Sequence, residues 1–133
     1  MDHSQALTII NAGIAQASEI GVPMSIAVVD AATDVVAQVR MDGAFRFTVD
    51  IARGKALVST IFLQPSGAVA DDNPITRKLN GLLQDALVFA QGAVPIFADG
   101  ALIGAVGVSG GSPEMDEKVA IAAAAVAAGP SAS

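Results

Sequence analysis

The sequence predicts a single α+β domain: one five-stranded, mainly antiparallel sheet flanked by helices, in the order α-β-β-α-(α)-β-β-β-α. Three observations lead there. Apolar residues recur at helical spacing near the start, in the middle and at the end of the chain. Between these segments lie β-branched runs joined by connections too short for parallel crossovers. Finally, the 133 residues contain no internal repeat and no interior linker, which suits one core. The domain is expected to span residues 1–128, followed by a flexible tail, 129–133, of small residues.

Residues Ser4 to Ile20 carry Ala6, Leu7, Ile10, Ile14 and Ala17 at helical spacing, with Gly21 and Pro23 as a stop. Met24 to Val29 suits a strand, Asp30 to Asp34 a turn, and Val35 to Asp42 a second strand. A second helix is expected over Arg46 to Leu63, ended by Pro65 and Gly67. The loop Asp71-Asp72-Asn73-Pro74 then leads into a short helix to Leu83. Leu87 to Gly111 reads as three strands, with Asp99-Gly100 between apolar runs as the strongest hairpin signal and Pro95 at a strand start. Ser112-Pro113 makes a good helix start, and acidic residues in the following turn favour the helix dipole of a last segment to Ala128.

Composition narrows the function. Charged residues make up 15% of the chain and apolar ones 53%, so the chain is short of charge to coat a small globule. Assembly with copies of itself, hiding apolar faces, follows as an expectation. The net charge of −6 and the lack of any Lys/Arg cluster argue against nucleic acid and against anionic membranes. No apolar run approaches the roughly 20 residues that span a bilayer, and the first residues lack a signal-peptide pattern, so a cytoplasmic location is expected. With no Cys and a single His, His3, neither a thiolate site nor a conventional metal cluster is expected.

Lys55 is the most informative residue. At about 100° per residue it shares the apolar face of the second helix with Ile51, Ala52, Val58 and Phe62, while Arg46, Asp50 and Arg53 lie opposite. A lysine there needs a carboxylate such as Asp42, Asp116 or Glu117, or else an anionic ligand or a proton-transfer role. Gln38, Arg40 and Asp42 alternate along one predicted strand face, as a solvated rim or as the carboxylate-clamping end of a pocket. The strand Gly104 to Gly111 has almost no side-chain bulk, which serves either close approach by the last helix or a backbone anion site. Asp116 and Glu117 serve the helix dipole or act as a carboxylate pair.

The ordered set Ile26-Ala27-Val28-Val29-Asp30, Arg40-Met41-Asp42-Gly43-Ala44, Ile51-Ala52, Lys55-Ala56, Gly92-Ala93-Val94-Pro95-Ile96, Asp99-Gly100, Gly104 to Gly110 and Asp116-Glu117 resembles the GlcG/HbpS family. That resemblance implies helices on both faces of a five-stranded sheet, assembly as dimers to octamers, and kinship with haem-binding and haem-degrading proteins and the C-terminal domain of PduO. It places Arg40, Lys55, Ser109 and Asp116 around a ligand, haem or another anionic apolar molecule. The alternative is a cofactor-independent isomerase or tautomerase for a carboxylated catabolite, with Lys55, Asp42 and Glu117 as proton-transfer groups and Arg40 holding the carboxylate. Two features depart from the family pattern. The turn Asp30 to Asp34 lacks the usual glycines, and the matched motifs hold no His, Cys or Tyr for haem iron; Met24, Met41 and Met115 read as core fillers.

Overall fold

A computed structural model describes residues 1–127, so the expected tail, 129–133, lies outside the described residues. Helix α1 (His3–Ile20) begins one residue before the expected Ser4, because Asp2 caps it: its carboxylate accepts the Gln5 N–H, and the Gln5 side chain accepts the Asp2 N–H in return. Gly21, at φ 86°, closes the helix. The buried stripe is Ala6, Ile9, Ile10, Gly13 and Ala17; Leu7, expected on it, is half exposed.

Strands β1 (Ser25–Asp30) and β2 (Val35–Arg40) follow. Their turn manages without glycine, because the Asp30 carboxylate accepts the N–H groups of Ala32 and Asp34 while Thr33 takes φ 72°. Helix α2 (Thr48–Phe62), a 3-10 turn (Ser66–Ala68) and α3 (Pro74–Leu82) lead to β3 (Ala93–Ala98), β4 (Ala101–Ser109) and α4 (Pro113–Ala127). Asp99 and Gly100, at φ 52° and 79°, form the expected two-residue hairpin between β3 and β4.

Among the described residues the sheet has four strands, in the order β2-β1-β4-β3, all antiparallel, and not the expected five. The missing strand was expected just after Leu87, and here backbone groups find partners outside any sheet. Asn80 accepts the Leu87 N–H, the Gly54 carbonyl accepts the Val88 N–H, and the Ser66 hydroxyl donates to the Ala90 carbonyl. Pro95 lies inside β3, an edge strand, where a missing N–H is tolerated.

The two faces of the sheet are packed differently. Ile26, Val28, Val106 and Val108 meet α1 and α4 in one aliphatic core with Ile9, Ile10 and Val119. Alternate residues, among them Ala27, Ala105 and Gly107, face α2. A Cβ on Gly107 would collide with the Ala52 carbonyl oxygen. At Ala105 and Gly107 the small side chains of β4 therefore serve the approach of α2, where the sequence suggested the last helix, while a Cβ on Gly104 would meet the Val29 carbonyl of β1.

Candidate functional site

Helix α2 carries Lys55 on its buried face, beside β4. The side chain is 4% exposed, so its amine must find partners inside the protein. Nζ donates to the Val108 carbonyl at 2.9 Å and to Asp116 Oδ2 at 3.1 Å. A glycine at 92 makes the room: a Cβ there would lie 2.6 Å from the amine and 2.7 Å from the Val108 oxygen. Asp116, in the first turn of α4 and 3% exposed, accepts the Gly111 N–H on Oδ1 at 2.8 Å. One ion pair thus ties α2, the end of β4 and the start of α4 together, and it is the one ion pair among the described residues. Burial pushes the Asp116 carboxyl above its ordinary value of 3.8, against the pull of the Gly111 N–H, the Lys55 charge and hydrogen bond, and the Gly110 N–H.

Of the three carboxylates open to Lys55 on sequence grounds, the structure selects Asp116. Asp42 lies past the end of β2, exposed in the turn that follows, so the alternation that placed it beside Arg40 stops at Arg40 itself. Glu117 is half-buried and accepts a hydrogen bond from the Gln91 amide at 2.6 Å. Arg40 is exposed, and in the sheet it stands opposite Ser25, which in turn stands opposite Ser109. Arg40, Ser25 and Ser109 therefore form one row across three strands, on the face that α2 covers.

Several contributors were not singled out from the sequence. Ser25 Oγ and Thr48 Oγ1 share a buried hydrogen bond of 2.7 Å, and Thr48 also donates to the Phe45 carbonyl at 2.6 Å. These bonds tether the loop Phe45-Arg46-Phe47 to the row ending in Arg40. Phe45 and Phe47 are 66% and 48% exposed, with rings 5.5 Å apart, and the Arg46 guanidinium lies 4.7 Å from the Phe47 ring. The signal was available: two of the five phenylalanines, in a chain without Trp or Tyr, flank an arginine between a strand and a helix.

All of these groups sit at one end of the sheet, where β1 begins and β2 and β4 end. The sequence of the HbpS-like family, described as haem degrading protein HbpS-like, matches residues 1–125. The chain belongs to the HbpS-like family. An uncharacterized 15.0 kDa protein from the dhaT-dhaS intergenic region of Citrobacter freundii is 37% identical over 109 residues, which are 80% of this chain and 77% of that protein. A double mutant of Streptomyces reticuli HbpS has the same fold at TM-score 0.85 and 28% identity, covering 95% of this chain and 86% of that one. A complex of PduOC with haem matches at TM-score 0.83 and 27% identity, over 94% of this chain and 93% of that one. As an HbpS-like protein the chain keeps helices on both faces of its sheet, as the resemblance implied, on one strand fewer.

Proposed function

We propose that this HbpS-like protein binds a planar, largely apolar and anionic small molecule of the haem type, and that it does so as a homo-oligomer. The observation that carries the reading is the exposed Phe45-Arg46-Phe47 loop, fastened through Thr48 and Ser25 to the row that ends in Arg40. Flat apolar rings and two guanidinium groups suit a macrocycle with carboxylate arms. Arg40 and Arg46 would hold the carboxylates, and Phe45 and Phe47 the ring. Lys55 and Asp116 act here as a latch that fixes the β4–α4 turn, since both are already partnered and buried.

Haem iron sets a further condition. His3 belongs to the opposite end of the molecule: a Cβ on Gly104 would touch Met1, and Gly104 lies roughly 17 Å along β4 from Ser109 at about 3.3 Å per residue. The Met41 sulfur accepts the Met24 N–H at 3.5 Å. Met115, expected in the core, is instead 40% exposed on α4, with its Cβ beside Gly111, and offers the thioether at this end. Titration with haemin is expected to give a saturable Soret shift that Arg40→Gln and Phe47→Ala each weaken tenfold or more, while His3→Ala leaves it unchanged. Absence of saturable binding, or its loss in His3→Ala, would contradict the reading.

Assembly belongs to the same proposal. It is supported by the 15% charged composition and by exposed Leu7, Ile75, Leu82, Phe97 and Ile121. Sedimentation velocity is expected to show a dimer or larger; a monomer at micromolar concentration would remove this part.

A further inference from the structure

A cavity of about 370 Å³ lies between the first turns of α2 and the segment after α3. This volume falls within the roughly 300–1,000 Å³ of small-molecule sites. Ile51, Leu83, Ala86 and Val88 supply apolar walls; Asp50, Arg53, Gln84 and Asp85 supply the polar ones. The cavity depends on Gly54. A Cβ there would strike the Val88 side chain and lie 2.8 Å from the Ala86 carbonyl, so glycine is what lets the 86–88 wall close against α2. Gln84 and Asp85 both hold left-handed backbone, at φ 58° and 59°, a conformation that side-chain-bearing residues adopt at a cost.

The charges around this cavity have not neutralised one another. Arg53 forms no ion pair with Asp50 or Asp85 among the described residues, although Asp50 stands one helical turn away on the same helix. A site with an unpaired cation, unpaired carboxylates and aliphatic walls is complementary to a ligand bearing an anionic group, a cationic group and an aliphatic part. We propose that this cavity binds an aliphatic α-amino acid, with Arg53 on its carboxylate, Asp50 and Asp85 on its ammonium, and Ile51, Leu83 and Val88 around its side chain. None of these residues belongs to the Arg40 and Phe45-Arg46-Phe47 set assigned to haem.

The test is a methyl-NMR titration of the full chain with L-leucine, following Ile51 and Val88. Saturable shifts are expected with leucine and at least tenfold weaker ones with leucinamide, which lacks the carboxylate, and with N-acetyl-leucine, which lacks the ammonium. Arg53→Gln and Asp85→Asn, both exposed and expected to fold, should each weaken leucine tenfold or more while haemin binding stays as in the parent. No saturable shift with leucine, equal shifts with all three compounds, or unchanged leucine binding in both variants would overturn the proposal.

Discussion

The two faces of the sheet make the instructive contrast. The face under α1 and α4 is built from large aliphatic side chains, with Ile9, Ile26, Val28, Val106, Val108 and Val119 essentially without solvent contact. The face under α2 is built from the small residues Ala27, Ala105 and Gly107 together with the larger Val29, and α2 brings buried Thr48, Lys55, Ser59 and Thr60 into the protein. Small residues let a helix backbone come close, and close approach puts its polar groups within reach of strand-end backbone such as the Val108 carbonyl. Burial of that kind contributes less hydrophobic stabilisation per residue than the aliphatic face does. Its gain is position: it fixes a lysine, an aspartate and a glycine-rich turn beside the one arginine-ended row of the sheet.

Single substitutions can break this contrast. Removal of one partner from the buried ion pair should cost most. Asp116→Ala leaves the Lys55 ammonium buried with a carbonyl alone, and a loss of about 3–5 kcal/mol in urea unfolding is expected. A loss below 1 kcal/mol would mean that the α2 face is not held by this pair. On the other face, Ile26→Ala empties a fully buried site and should cost about 2–5 kcal/mol while leaving ligand binding intact. Loss of binding in a folded Ile26→Ala protein would erase the division of labour between the faces. Gly107→Ala tests the close approach directly. Its methyl meets backbone of α2, and overpacking there should cost about 1–3 kcal/mol, visible as a lower melting temperature.

The smallest effect is a pH slope. Because burial raises Asp116 above 3.8 in the folded chain, the native state binds more protons than the unfolded state in the window just above that value. This group therefore adds stability as pH falls through its folded pKa, and the addition is complete below 3.8. Asp116→Asn should remove that part of the slope when urea midpoints of the two proteins are compared across the window. Parallel curves would show that the carboxyl is not raised.

Much of this was legible in residue order. The Lys55 position follows from helical period alone, because a cation among Ala52, Ile51 and Val58 has to be partnered, and Asp116 was among its three candidate partners. The Asp99-Gly100 hairpin was equally plain, since both positions need positive φ. The lost fifth strand was not, because the apolar run Leu87-Val88-Phe89-Ala90 looks like a strand until Asn80 and Ser66 side chains are seen to take the backbone bonds. Likewise, composition showed that the Gly-rich strand must be approached closely, but the last helix, expected there, gives way at Gly107 to Ala52 of α2, a tertiary choice that residue order does not carry. Met115 escaped for a related reason: an apolar residue in a first helical turn is exposed or buried according to the loop before it.

Hydrogen exchange of the full chain with and without haemin tests the proposed ligand end. Added protection is expected over residues 40–48 and 109–116 and none at the opposite end, in residues 30–34 and 99–101. Protection confined to that opposite end, or to α1 around His3, would contradict that assignment.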